Sequence, residues 1–157
     1  WGATASRPGV HLLPDLSQRT VDRMAAVVEG YRRPGDLVVI SLHWGGNWGY
    51  EIPPAHRRFA RALIDAAAAD VIHGHSSHHP LGIEVYRDRP ILYGCGDLID
   101  DYEGISRYAE YRPELALLYL VTLERSTGTL RRLAMVPSTA GGFDSALKVT
   151  LLQVARA

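Results

Sequence analysis

The sequence predicts an α/β fold in which a mixed β-sheet is layered against helices. Three observations carry that expectation. Apolar runs at Leu37–Leu42 and Val71-Ile72 read as buried strands, and a segment with helical spacing precedes each of them. The runs Ile83–Val85 and Ile91–Tyr93 flank Arg87-Asp88-Arg89-Pro90 and read as one hairpin. Leu117–Glu124 and Leu130–Val136, joined through Ser126-Thr127-Gly128-Thr129, read as a second. Helix, strand, helix, strand and then hairpins is the order of a layered α/β domain with a mixed sheet.

Trp1–Pro14 is rich in small residues, glycine and proline, and reads as an irregular lead-in. Asp15-Leu16-Ser17 offers capping groups for a helix in which Val21, Met24, Ala25 and Val28 recur at helical spacing up to Tyr31. Pro34-Gly35-Asp36 breaks that helix. A glycine- and tryptophan-rich loop spans His43–Pro54. The spacing of Phe59, Leu63 and Ala66 then predicts a helix over about His56–Ala69. The tail from Asp144 to Ala157 reads as helical. No repeat, linker or low-complexity tract interrupts the chain, so residues 1–157 are expected to form a single domain.

The 157 residues suffice to bury a core. With 46% apolar and 22% charged residues, the composition is that of an ordinary globular protein. Seventeen basic and seventeen acidic residues cancel, so no overall field points to nucleic acid or to an anionic membrane. The lone Cys95 excludes an internal disulfide and a cysteine-only metal site. No apolar run approaches the about 20 residues that span a bilayer, and no signal peptide is read. The first residue is Trp1 rather than Met, so the chain reads as a fragment or a processed product.

The chemistry concentrates in histidines. Gly74-His75-Ser76-Ser77-His78-His79 follows directly on His73, and His43 closes the apolar run before it. In open α/β sheets ligands gather at the carboxyl ends of strands, where both groups fall. Crowded neutral imidazoles are good donors to divalent metals, and Gly45, Gly46 and Gly74 allow close backbone approach. His43, His75 and His78 are the candidate metal ligands, while His73 and His79 are read as structural neighbours. His43, Glu51 and His75 are the candidate catalytic residues. Glu51 lies across the loop and suits a ligand, an acceptor for an imidazole N–H, or a general base.

Other residues have plainer readings. Asn47 suits a turn-capping amide, and Trp44 and Trp48 suit packing anchors under a long loop. Asp97 and Asp100 fit either helix capping or the orientation of a histidine. The acidic stretch that contains them does not match a calcium loop. Cys95 is expected to be buried and inert, and Ser76 and Ser77 to be loop formers.

Four motifs in order resemble a known family. Asp36–Gly45 ends in His43-Trp44-Gly45; Gly74-His75-Ser76-Ser77-His78 follows, then Gly82-Ile83-Glu84-Val85-Tyr86, then Tyr93-Gly94-Cys95-Gly96-Asp97. Together they resemble the bacterial CapA-type capsule-synthesis family, named for poly-γ-glutamate capsule biosynthesis and similar to calcineurin-like metallophosphoesterases. The match runs from about Pro34 to Gly104 and extends weakly to Pro137. The resemblance implies a two- or four-layer α/β sandwich with a metal centre at strand ends, with Glu84 and Glu51 as neighbours of the site. It also implies a divalent cofactor (Mn, Fe or Zn), an anionic phosphoester or polyanionic polymer as substrate, and association with the bacterial cell envelope.

The chain departs from the superfamily pattern in two places. It lacks the upstream Asp-x-His strand end, Gly-Asp loop and Asn-His turn, for which Arg7-Pro8-Gly9-Val10-His11 is no match. It therefore reads as the C-terminal half of such a domain. Ser138-Thr139-Ala140-Gly141-Gly142 also lacks the basic, strand-like character expected there. A metal-dependent phosphoesterase is the leading expectation. The rivals are a non-catalytic polymer-binding or assembly component, and a one-metal acyl or amide hydrolase with Glu51 as base.

Overall fold

Helix α1 (Gln18–Tyr31) begins where the sequence places its cap: Ser17 accepts from the Thr20 N–H, and Asp15 accepts from the Ser17 N–H and from the hydroxyls of Ser17 and Thr20. These bonds favour the charged carboxylate and hold Asp15 down at a pKa of about 2. In this computed structural model the described residues are 2–98, 106–113, 115–139 and 152–153.

Strand β1 (Val39–His43) pairs in parallel with β2 (Val71–His75), and β2 in parallel with β4 (Arg89–Leu92). Strand β3 (Ile83–Tyr86) runs antiparallel to β4, giving a four-stranded mixed sheet in the order β1-β2-β4-β3. The mixed α/β sheet expected from the sequence is therefore present. The turn between β3 and β4 places both Arg87 and Asp88 at positive φ, where a hairpin would favour Asn-Gly.

Helix α2 (Pro54–Asp65) starts two residues earlier than expected, with Pro54 in its first turn, and ends four residues sooner. The apolar periodicity runs past its end because Ala68 and Ala69 are buried in the connection to β2. The helix closes through Ala67 N–H to the Ile64 carbonyl and Ala68 N–H to the Leu63 carbonyl, with Ala67 at φ +53. That is a Schellman closure in which alanine takes the place usual for glycine.

Both helices lie against one face of the sheet. Val21, Phe59 and Leu63 form a single core with Ile40, Leu42, Ile72, Ile91 and Tyr93. On the other face Leu92 packs with Leu130 and Leu133, alongside Tyr119, Val121 and Leu123. These last residues belong to a hairpin of β5 (Leu115–Leu123) and β6 (Leu130–Thr139). Strand β6 includes Ser138 and Thr139, against the expectation from their composition, because pairing with Ala116 and Leu115 holds them extended.

Strand β1 is not buried on both faces as its apolar run suggests. Its residues alternate exposed and buried, since it lies at the sheet edge with only its helix-facing side covered, and Val39 is 59% exposed. The predicted C-terminal helix falls mostly outside the described residues; Leu152–Gln153 form a short strand β7 on β6 instead. Among the described residues no helix is long and apolar enough to cross a membrane.

Candidate functional site

The parallel register of β1 and β2 sets His43 directly beside His75 and Ser41 beside His73. Alternation along each strand then puts His43, His73 and His75 on the face away from the helices. His43 Nδ1 lies 3.3 Å from His75 Nδ1, with ring centroids 5.1 Å apart. His73 stacks on His75 at 5.6 Å, and its Nδ1 is 2.9 Å from the Ser41 hydroxyl. Burial holds the pKa of His75 below the usual imidazole value, and positive charge on His43 or His73 would depress it further. His75 is therefore a neutral donor at pH 7.

His78 sits lower in the same loop. Its backbone N–H donates to the Asn47 carbonyl, which ties the histidine loop to the loop after β1. Its Nδ1 is 2.7 Å from Asp97 Oδ2. That carboxylate engages Nδ1 and fixes the orientation of the ring. His79 is fully buried, enclosed by Trp48, Tyr50 and Tyr111 at 4.7 to 5.9 Å between centroids. Its Nδ1 lies 3.2 Å from the Pro80 carbonyl, whereas Nε2 has no hydrogen-bond partner among the described residues. Burial holds it neutral as well.

Gly74 explains how tightly the two strand ends are joined. A Cβ there would collide with the Tyr93 carbonyl and the Trp44 indole, which hydrogen-bond each other at 3.0 Å. Trp44 also stacks on His56 at 4.5 Å, so it anchors the loop to α2 as expected. Glu84 lies one step further away. It accepts from Arg61 at 2.7 Å and from the Tyr93 hydroxyl at 2.8 Å, and hydrogen-bonds to no histidine among the described residues.

Of the predicted residues, the structure brings His43 and His75 together and pairs His78 with Asp97. It does not join Glu51 to them: that side chain is exposed and bonds to no described residue. Asp100 lies outside the described residues. Ser77 donates to the His79 carbonyl and Ser76 to the Gly45 carbonyl, as loop formers do. The half-buried Cys95 thiol is pushed up to about 11 by burial, which makes it a poor nucleophile. His73, expected as a structural neighbour, lies on the same face as the pair. The signal was its two-residue spacing from His75, which in a strand returns to one face. Among the described residues no three His, Cys, Asp or Glu side chains stand together as a ready metal cage.

With that arrangement in view, comparison with known proteins is decisive for the family. The sequence model described as bacterial capsule synthesis protein PGA_cap matches residues 1–102, well over half of the chain. The chain belongs to this family. The match reaches back over α1 and the lead-in, beyond the Pro34 start read from the motifs. The chain is 53% identical over 138 residues to a probable polyglutamine synthesis accessory protein of Mycobacterium tuberculosis, covering 87% of this chain and 36% of that relative. It is 31% identical over 100 residues to the capsule biosynthesis protein CapA of Bacillus anthracis, covering 63% and 23%. With the PGA biosynthesis protein CapA of Bacillus subtilis it shares 37% over 70 residues, covering 45% and 18%. The chain thus spans about a third or less of the length of these relatives. The family links it to capsule and poly-glutamate biosynthesis.

Proposed function

We propose that this chain supplies the histidine portion of a divalent-metal centre in a capsule-synthesis protein. The parent domain then hydrolyses a phosphoester or related bond near polyanionic envelope polymers. The observation that carries the reading is the separation of the His43 and His75 Nδ1 atoms, 3.3 Å. Two nitrogens bound to one tetrahedral ion at about 2.0–2.1 Å lie about 3.3–3.4 Å apart. Two rings at that spacing are placed as metal donors would be, and the lowered pKa of His75, caused first by burial, supports the unprotonated form that a metal needs.

His43 and His75 would hold the ion (Mn, Fe or Zn), with His78 as a further donor oriented by Asp97. A bound divalent metal supplies a nucleophilic hydroxide near neutral pH and neutralises phosphoryl oxygens. The chain's own contribution is to fix the rings. The parallel register aligns them, Gly74 lets the strand ends meet, and Asp97 sets the tautomer of His78. Glu51 enters the proposal only as an exposed carboxylate on the loop after β1. The test is turnover of an aryl phosphate by the full-length parent with added Mn²⁺. Turnover lost on His43→Ala supports the reading; turnover unchanged in that variant, or absent from the native protein, overturns it.

The second reading is a non-catalytic polymer-binding or assembly component of capsule synthesis. An arginine-lined cleft at the opposite end of the sheet favours it.

A further inference from the structure

A cleft lies away from the histidines, at the amino ends of β1 and β2. It holds about 820 Å³ and is lined by Arg32, Arg33, Arg87, Arg89 and Arg125. The same walls carry three carboxylates, Glu29, Asp36 and Asp70, so positive charge is in surplus by two. At about 3.3 Å per residue, the five residues of β1 place this cleft more than about 13 Å from His43.

Asp70 is the organiser of its floor. The residue is 4% exposed, and its carboxylate accepts from the Val38 N–H at 2.9 Å. It also pairs with Arg32 at 2.8 Å and Arg89 at 3.3 Å. Gly128, at φ +69, lies so close to this carboxylate that a side chain there would collide with it. That contact brings the β5–β6 turn, and Arg125 with it, to the cleft wall. Two guanidiniums are therefore held in fixed orientation and still reach solvent, with Arg32 31% and Arg89 20% exposed.

Arg33 and Arg125 stand apart from such pairing. The side chains of Arg33 and Arg125 are exposed and make no hydrogen bond or ion pair with any described residue. Arg87 lies over the Tyr86 ring and stands at the left-handed φ of +47, a strained conformation for a residue with a Cβ. Its exposed pair with Asp65 at 3.0 Å contributes little against that strain.

We propose that this cleft binds a linear polycarboxylate chain. Guanidinium is a planar donor suited to carboxylate, and Arg32 and Arg89 already each meet the Asp70 carboxylate through one contact. Five arginines spread along an 820 Å³ cleft, two of them fixed by Asp70, suit successive carboxylates on one strand better than a single small anion. The chain as a whole carries no net charge, so it has none of the broad positive field by which proteins collect nucleic acid. The choice of polymer rests on the polymer-binding reading above; the location of the site does not.

Calorimetric titration of the purified chain with poly-glutamate, in EDTA and 0.1 M salt, tests the proposal whether or not the histidines hold a metal. Binding is expected, with affinity falling at least tenfold in Arg33→Glu/Arg125→Glu. Arg87→Asn is the control for folding: it relieves the left-handed backbone, so Tm is held or raised while affinity drops. Three results overturn the proposal: no heat of binding to poly-glutamate, equal binding by the charge-reversed variant, or binding of inorganic phosphate or an oligo-dT strand as tight as that of poly-glutamate.

Discussion

Asp97 Oδ2 and His78 Nδ1 meet at 2.7 Å across the mouth of the histidine loop, each side chain about a quarter exposed. A pair this open adds little to stability, about 0–1 kcal/mol. Its effect is on orientation: the carboxylate holds Nδ1 and so fixes the ring. Asp97→Asn should leave Tm within a few degrees of the native value and weaken metal affinity about 10–100-fold, the range for loss of a carboxylate behind a histidine ligand. Parallel melting curves and metal titrations of the two proteins check this.

Stability should fall as the pH drops from 7 toward 5. His56, His75 and His79 all have folded-state pKa values below the usual imidazole value, with burial as the first cause. Below about 6.5 the unfolded chain binds protons on these rings that the folded chain refuses, so the equilibrium moves toward unfolding as acid is added. His79→Phe keeps an aromatic ring among Trp48, Tyr50 and Tyr111 and removes the unpartnered Nε2. The variant should gain more in Tm at pH 5.5 than at pH 8. An equal change at both pH values would separate His79 from the acid sensitivity.

The closure of α2 offers a simple stabilising change. Ala67 sits at φ +53, where a Cβ crowds the neighbouring carbonyl. Ala67→Gly should stabilise the chain by about 0.5–1 kcal/mol, less whatever the freer unfolded chain takes back. Urea denaturation at pH 7 reads it as a higher midpoint at unchanged slope.

Much of this architecture is written locally. The cap at Asp15 and Ser17, the two hairpins and the histidines at strand ends follow from short-range patterns, because capping, turn chemistry and apolar alternation act within a few residues. The missed features depend on distant partners. The exposure of Val39 reflects the edge position of β1, which a run of Leu, Val and Ile does not reveal. The early end of α2 was hidden because Ala68 and Ala69 are buried as connection rather than as helix. His73 joins His43 and His75 through alternation in β2, a signal present in the spacing but outweighed by the loop motif beside it. The arginine cleft draws on α1, the β3–β4 turn and the β5–β6 turn, and no single stretch of sequence contains it.

The central claim is that His43 and His75 bind one divalent ion between them. Titration of the purified chain with Zn²⁺ and Mn²⁺, with bound metal counted by ICP-MS after dialysis, tests it most directly. The account predicts retained metal in the native chain and its loss in both His43→Ala and His75→Ala, with melting curves showing that each variant is still folded. Metal retained unchanged by either folded variant, or no metal retained by the native chain, contradicts it.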